Sequence, residues 1–323
     1  MALKAGIPED VPALMLNRLC GSGIQSVVTA AQQLATGEAT WVLAGGMENM
    51  SQAPHVIRGA RSGFKLGQGQ LEDSLLVALK DSYCGLLMAQ TAEKLAKRMG
   101  ISREEQDTYA LRSTHLGEKA ASSGVFAEEI VPVEIKKGPK SIQIDKDDHF
   151  FVKATIEGMA KLKPAFGEDG TVTAGNASGM VDGAACLVIA DGDAAARDGL
   201  KPMAEIIGWH VVGVEPSEMG IGPAPAIRGL LEKTGIALSK IDLFEINEAF
   251  AAQYLAVEKD LGLDRDKVNV NGGAIALGHP LGATGTRLLL TLALELGRRN
   301  KTYGIASACI GGGQGIAMLI QRL

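Results

Sequence analysis

One succession of segments occurs in both halves of the sequence and limits the folds open to it. In the first half, a glycine-rich turn at residues 20–23 leads into apolar residues at helical spacing, which end near Gly37 and precede the apolar stretch 39–44. In the second half, the turn at 278–282 leads into a helical segment and then into the apolar stretch 303–308. This degenerate repeat predicts two similar α/β halves that face each other across one site. The stretches 11–19 and 39–44 read as the two strands of a parallel strand-helix-strand unit, and further strands are predicted at 204–209, 241–246, 303–308 and 315–321.

The first of these turns contains a cysteine. Residues 11–19 read as a buried strand, so the sequence predicts that Cys20 lies at a corner between a strand and a helix. The unpaired N–H groups of a helix N-terminus favour thiolate over thiol, which predicts a lowered pKa and a nucleophilic role. The alternative is a small buried apolar residue, which is common for a lone cysteine. The flanking Gly21 and Gly23 favour the nucleophile, because they leave room for a substrate.

Three motifs in the second half supply groups that a nucleophilic cysteine needs. His279 lies between a glycine and a proline, and we expect it to act as a general base toward Cys20 or as the electrostatic partner of its thiolate. Asn247 follows the apolar stretch 241–246 and is a candidate donor to an oxyanion. Cys309 opens a glycine run, where a thiol can exchange protons and backbone amides can hold an oxyanion. Singly, each motif also has a structural interpretation: a buried histidine, a helix cap, and a glycine turn with an inert cysteine.

Composition and spacing argue against several other classes of protein. The 323 residues carry a net charge of −5 and no long basic run, which argues against a nucleic-acid-binding surface. No apolar run reaches the length of a membrane span, and no metal-ligand spacing occurs. The glycine motifs of nicotinamide enzymes, nucleotide hydrolases and serine hydrolases are absent. We expect a small-molecule substrate and a reducing compartment, with Cys84 and Cys186 as structural residues.

The middle of the chain is less regular. Residues 52–80 show no hydrophobic periodicity, which predicts a long irregular loop rather than part of a packed layer. Helices are predicted over 87–99 and from the capping-box pair Ser102 and Glu105 to about residue 122. A short hairpin is predicted within residues 131–144. The small residues at 171–179 suit backbone next to a ligand, although an ordinary loop fits this composition equally well.

Taken together, four motifs resemble those of the thiolase family, the acetyl-CoA acyltransferases. In the family's order they are NRLCGSG at residues 17–23, NEAFA at 247–251, GHPLG at 278–282 and CIGGGQG at 309–315. The resemblance covers essentially the whole chain. It implies a thiolase-like α/β fold with two similar halves in a five-layer arrangement. The halves would be residues 1–199 and 200–323, with an inserted coenzyme A-binding loop region at about 52–178.

The resemblance also implies a mechanism with an acyl-cysteine intermediate. Cys20, activated by His279, would attack the keto carbon of a 3-ketoacyl-CoA, acetyl-CoA would leave, and coenzyme A would release the shortened acyl group. Cys309 would exchange a proton with the departing acetyl-CoA. Asn247, through a water, and His279 would form one oxyanion hole, and the backbone amides of Cys20 and Gly311 the other. Coenzyme A is then a substrate, and no cofactor and no metal are expected.

By the same matching, six residues would line the channel for the pantetheine and acyl groups. The resemblance further implies a homodimer or homotetramer that binds acyl-CoA and coenzyme A, with no nucleic acid or membrane as partner. The expected compartment is the cytoplasm, or the mitochondrial matrix or peroxisome in a eukaryote. The six channel residues are Met88, Phe166, Ser178, Met219, Ala249 and Phe250.

Two features depart from the family's pattern. The family normally has a strand, a helix and a strand before the segment that starts here at Ala2, and without them we expect an incomplete first sheet. At residues 86–88, Leu87 stands where biosynthetic acetoacetyl-CoA thiolases tend to have a histidine. This favours a degradative 3-ketoacyl-CoA thiolase of fatty-acid β-oxidation. A biosynthetic acetoacetyl-CoA thiolase and an inactive acyl-CoA-binding remnant stay open as alternatives.

Overall fold

The computed structural model describes residues 2–149, 153–167 and 169–323, which form ten helices and ten strands besides short 3₁₀ turns. Within these ranges no helix combines the length and the apolarity that a membrane crossing requires. The helices are α1 (Ser22–Ala35), α2 (Ser74–Ala78), α3 (Met88–Met99), α4 (Arg103–Ser122), α5 (Ile156–Ala160), α6 (Gly192–Arg197), α7 (Pro223–Thr234), α8 (Ala251–Leu261), α9 (Ala274–Leu277) and α10 (Leu281–Arg298). The strands are β1 (Trp41–Glu48), β2 (His55–Ile57), β3 (Leu71–Asp73), β4 (Val133–Lys137), β5 (Lys140–Ile144), β6 (Gly183–Ala190), β7 (Ala204–Gly213), β8 (Leu243–Ile246), β9 (Tyr303–Ile310) and β10 (Gln314–Arg322).

A four-stranded sheet of the second half forms the centre of the fold, in the order β7-β10-β9-β8. β10 pairs antiparallel with β7 and β9, and β8 pairs parallel with β9. Helices α1 and α10 cover one face of this sheet, while α7, with α8 beside it, covers the other. Because both faces are covered, β8 and nearly all of β9 are buried, as their apolar sequences require.

The first half contributes a smaller sheet, in which β1 pairs antiparallel with β6. Its inner face, which includes Ala44 and Leu187, packs against α1 and α10. On its outer face Leu43 and Val188 lie opposite each other and are 58% and 64% exposed. The described residues therefore form four consecutive layers: the β1–β6 pair, α1 with α10, the four-stranded sheet, and α7 with α8.

Most local predictions are confirmed. The strands predicted at the positions of β7, β8, β9 and β10 are present, as are the hairpin of β4 and β5 and the helix within α10. At the start of α4, the Ser102 hydroxyl accepts a hydrogen bond from the Glu105 N–H at 3.1 Å. In return, the Glu105 carboxylate accepts one from the Ser102 N–H at 2.6 Å. The predicted capping box is therefore formed.

Two predictions for the first half are wrong. Residues 11–18 adopt no regular structure, and residues 11–15 are exposed, so there is no strand before Cys20. The parallel strand-helix-strand unit is also not formed, because β1 pairs with β6 and runs antiparallel to it. A strand needs a neighbour to satisfy its N–H and C=O groups. Among the described residues, no strand and no isolated β-bridge pairs with 11–18.

Helices α1 and α10 approach each other unusually closely at two glycines. A Cβ atom added to Gly23 would lie 2.3 Å from the backbone nitrogen of Thr286, and one added to Gly285 would lie 2.3 Å from that of Ile24. These reciprocal contacts bring the first turns of the two helices together. Cys20 lies in the turn directly before α1, and residues 278–280 directly precede α10. The close approach of the two helices therefore places Cys20 and His279 in the same part of the fold.

We expect Gly23→Ala to destabilise the fold by about 3 kcal/mol, because the added methyl group would meet backbone atoms that belong to another helix. The measurement is the free energy of unfolding from urea denaturation. Gly297→Ala is the matched control, since Gly297 lies in α10 with open space around it and alanine is the better helix former. Equal stability of the two variants would contradict the close contact.

Candidate active site

Cys20 lies in the tight turn Leu19–Gly21, directly ahead of α1. Leu19 has a φ of 48°, a left-handed conformation that costs a non-glycine residue roughly 1–2 kcal/mol. Two side chains hold this conformation. The Asn17 Oδ1 accepts a hydrogen bond from the Leu19 N–H at 2.8 Å, and the Ser22 hydroxyl donates to the Leu19 carbonyl at 2.7 Å. The turn that contains Cys20 is therefore strained at Leu19, and these two hydrogen bonds stabilise it.

The electrostatics of Cys20 differ from the prediction. The residue is half-buried, and burial of its thiol raises the pKa of Cys20 to about 11, while hydrogen bonds from the backbone N–H groups of Gly311 and Cys20 itself act to lower it. The shift is opposite to the predicted lowering, because the loss of hydration outweighs these two backbone hydrogen bonds. At neutral pH Cys20 is a thiol and needs a base to become a nucleophile.

His279 has the properties of such a base. Its backbone N–H donates to the Gly179 carbonyl at 3.0 Å. Its Nδ1 lies 2.6 Å from the Thr284 hydroxyl, which itself donates to the Pro280 carbonyl, so we assign the ring hydrogen to Nδ1 and a lone pair to Nε2. Burial, together with the nearby positive charge of Arg287, lowers the pKa of His279 to about 3. The imidazole is therefore neutral and able to accept a proton at Nε2.

Asn247 lies beside this nitrogen. Its backbone N–H donates to the Ser307 carbonyl of β9 at 2.9 Å, which continues the pairing of β8 past its last residue. The Asn247 Nδ2 lies 3.3 Å from Nε2 of His279. Its Oδ1 is buried and has no hydrogen-bond partner among the described residues. The amide can thus donate toward the base and accept one further hydrogen bond.

Cys309, on β9, is completely buried beside Cys20. It belongs to a small cluster with Met88, Met219 and Ala249. Burial, followed by the interaction with Cys20, raises the pKa of Cys309 well above its ordinary value. That interaction requires the two thiols to lie near each other. A thiol that stays protonated at neutral pH is suited to donate a proton.

Gly311, in the second half of the chain, lies against Leu19 in the turn that contains Cys20. A Cβ atom on Gly311 would lie 3.3 Å from a methyl group of Leu19 and 3.2 Å from the sulfur of Met88. Its backbone N–H donates toward the Cys20 thiol. A side chain here would require the Leu19 and Met88 side chains to shift by a few tenths of an ångström.

Five of the six predicted channel residues lie together near Cys309. Ser178 donates through its backbone N–H and its hydroxyl to the Ala249 carbonyl, both at 3.0 Å. Phe166 is the exception, because it is 38% exposed on the loop between α5 and β6 and lies outside the cluster around Cys309. The residues brought together are Met88, Ser178, Met219, Ala249 and Phe250.

Sequence reasoning missed two polar residues of the site. Thr284 determines which nitrogen of His279 carries the hydrogen, but its spacing from the histidine belongs to no recognisable motif. Glu248 is a fully buried carboxylate beside Asn247. In the sequence, the position of this charged residue between an apolar strand and an apolar helix could have identified it. In the described parts of the chain, no three His, Cys, Asp or Glu residues are grouped so that they could hold a metal ion.

The chain matches two protein-family models and close relatives. The model described as Thiolase, N-terminal domain matches residues 1–193, and the one described as Thiolase, C-terminal domain matches residues 200–322. The human protein named 3-ketoacyl-CoA thiolase, mitochondrial, is 53% identical over 324 residues, which cover 99% of this chain and 81% of the relative. The acetyl-CoA acetyltransferase of Rhizobium meliloti (strain 1021) is 49% identical over 323 residues, covering 100% of this chain and 82% of the relative.

A solved structure gives the same result for the fold. The crystal structure of human mitochondrial 3-ketoacyl-CoA thiolase in complex with CoA is similar to this chain with a TM-score of 0.96 and 53% sequence identity, covering 99% of this chain and 80% of that chain. This similarity confirms the predicted thiolase-like α/β fold. The motifs, the fold and the relatives agree, and the chain belongs to the thiolase family of acyltransferases.

Proposed function

We propose that this chain cleaves 3-ketoacyl-CoA with coenzyme A, giving acyl-CoA and acetyl-CoA through an acyl group held on Cys20. The observation that carries the proposal is the meeting of two thiols from opposite halves of the chain. Cys20 receives the Gly311 amide, and Cys309 lies close enough for the two thiols to influence each other. Such a pair offers one nucleophile and one proton donor at a single reaction centre.

The first half-reaction uses the protonation states of the site. Cys20 gives its proton to Nε2 of His279 and attacks the keto carbon, and the amides of Gly311 and Cys20 stabilise the negative charge on the keto oxygen. The bond between the keto carbon and the α-carbon then breaks. The departing enolate of acetyl-CoA takes the proton of Cys309. The shortened acyl group stays on Cys20 as a thioester.

The second half-reaction restores the enzyme. The thiol of coenzyme A gives its proton to the Cys309 thiolate and attacks the acyl thioester, with Asn247 and His279 beside the reacting atoms. The Cys20 thiolate leaves and regains its proton from His279. The products are acyl-CoA and the two original thiols, so protons and bonds balance over the cycle. The CoA complex of the human relative supports coenzyme A as the substrate of this chain.

The apolar surroundings of Met88 favour a degradative role in fatty-acid β-oxidation over a biosynthetic one. Leu87 is half-buried at the start of α3, next to Met88 in the cluster around Cys309. An alkyl chain gains about 0.8 kcal/mol for each methylene that it buries against such side chains. The alternatives remain an acetoacetyl-CoA thiolase and an acyl-CoA-binding protein without turnover. A homodimer or homotetramer stays a prediction.

We expect kcat/KM for cleavage of 3-ketooctanoyl-CoA to exceed that for acetoacetyl-CoA by about tenfold or more, because the longer chain buries additional methylenes. The measurement is the coenzyme A-dependent loss of each ketoacyl thioester, with the rate in Cys20→Ser as the blank. A preference for acetoacetyl-CoA would support the biosynthetic alternative. Binding of both thioesters without cleavage would support the inactive alternative.

A further inference from the structure

The mechanism above leaves one buried carboxylate next to the site without a role. Glu248 is fully buried and directly follows Asn247. Its two oxygens accept four hydrogen bonds, and all four donors are neutral groups. To Oε1 the donors are the Tyr109 hydroxyl at 2.6 Å and the Asn269 Nδ2 at 2.9 Å; to Oε2 they are the Ser113 hydroxyl at 2.6 Å and the Ile275 backbone N–H at 3.1 Å.

These donors come from separate parts of the chain. Two lie on α4, and the other two lie in residues 269–275, the segment that leads to His279. Asn269 also brackets the end of β8, because its Oδ1 accepts from the Ile246 N–H and its Nδ2 donates to the Ile246 carbonyl, both at 2.9 Å. Glu248 thus joins α4, the end of β8 and the segment before His279.

The carboxylate touches this segment directly. A Cβ atom on Gly273 would lie 2.4 Å from the carboxyl carbon of Glu248, so only glycine allows the contact. The Gly273 N–H donates to the Ser113 hydroxyl at 3.0 Å, which in turn donates to Glu248. Residues 269–275 are therefore held to Glu248 directly, through Asn269 and Ile275, and indirectly, through the Ser113 hydroxyl.

We propose that Glu248 is a positioning residue that sets the separation between the Asn247 amide and Nε2 of His279. Asn247 and His279 belong to two segments that meet at 3.3 Å, and Glu248 is the charged group that fastens these segments to each other. A shift of about 1 Å at a reacting group can lower a rate by about a hundredfold. The inference rests on the proposed thiolysis, and its test separates the two.

Glu248→Gln keeps the size of the side chain but turns an NH₂ group toward two of the four donors. We expect kcat for thiolysis to fall by about 30- to 100-fold while KM for the 3-ketoacyl-CoA changes by less than about twofold, because the acyl-CoA contacts are made by other residues. The rate at which iodoacetamide alkylates Cys20 at neutral pH is expected to fall as well, because His279 would accept the proton less readily. Both rates are normalised to the folded fraction.

Glu295→Gln is the matched control. Glu295 is another buried carboxylate, near the C-terminal end of α10, and it forms its ion pairs with Arg298 and Arg299 rather than with the segment before His279. We expect this variant to change the denaturation midpoint and to alter kcat by less than about twofold. If Glu248→Gln lowered stability but left kcat and alkylation per folded molecule unchanged, its role would be structural only and the proposal would be overturned.

A milder variant serves if Glu248→Gln does not fold. Ser113→Ala removes one donor to Glu248 and the acceptor of the Gly273 N–H, and we expect it to lower kcat and alkylation by about three- to tenfold. Unchanged values in this variant would also overturn the proposal. If the unaltered chain shows no thiolysis, the proposed function fails, and the alkylation rates still decide the role of Glu248.

Discussion

A Cys20→Ser variant incubated with acetoacetyl-CoA acquires no acetyl group, whereas the unaltered chain acquires one on Cys20. We expect thiolysis to fall by at least about a thousandfold, because a serine hydroxyl holds its proton far more tightly than a thiol and its conjugate base is costlier to bury. The measurement is mass spectrometry of peptides prepared at low pH, which preserves the thioester.

Cys186→Ser is the control for this experiment, because Cys186 is exposed on β6, away from Cys20 and Cys309. This variant should be acylated as the unaltered chain is. An acetyl group on Cys309, or one that persists in Cys20→Ser, would contradict the assignment of Cys20 as the nucleophile. The adduct also distinguishes an acyl-cysteine mechanism from direct attack of the coenzyme A thiol on the keto carbon.

His279→Asn changes both the size and the pH dependence of the reaction. At neutral pH we expect kcat/KM to fall by about a thousandfold, which is within the range for loss of a general base. His279 is neutral at pH values above about 3, so in the unaltered chain it can take the Cys20 proton throughout the neutral range. Without it, only Cys20 that is already ionised reacts. Since its pKa is about 11, that fraction increases about tenfold for each pH unit up to that value.

The alkylation of Cys20 by iodoacetamide as a function of pH makes this difference visible. At neutral pH the unaltered chain should be alkylated faster than His279→Asn, whose rate should rise steadily toward alkaline pH and approach that of the unaltered chain near the pKa of Cys20. His55→Asn is the control, because His55 is exposed on β2. A rate in His279→Asn equal to that of the unaltered chain at neutral pH would show that another group takes the proton.

The predictions that succeeded rest on local patterns. The capping box at Ser102, the hairpin of β4 and β5, and the helix and strands from α10 to β10 depend on residues close in sequence. Residues 11–18 show the opposite case. Their apolar sequence suits a strand, but a strand is stable only with a partner, and the described structure provides none. Periodicity alone cannot report whether that partner exists.

The chemistry of the site likewise has one part that local sequence patterns predict and one part that depends on the tertiary structure. Sequence motifs were sufficient to select Cys20, Asn247, His279 and Cys309 as candidates, because glycines and prolines around reactive groups are visible in a single sequence. The direction of the pKa shift of Cys20 was not predictable. It depends on how completely distant segments remove water from the thiol, and this effect exceeds that of the backbone N–H groups that donate to it.

By itself, the sequence determined most of the helices and strands, the order of the four motifs and the membership of the thiolase family. Only the tertiary structure decided that Phe166 lies apart from the cluster around Cys309, that Thr284 assigns the hydrogen of His279, and that Glu248 fastens the segment before it. The reason is physical. Helix and turn preferences act over a few residues, whereas burial, tautomers and buried hydrogen-bond networks depend on segments that are remote in sequence and meet only in the folded chain.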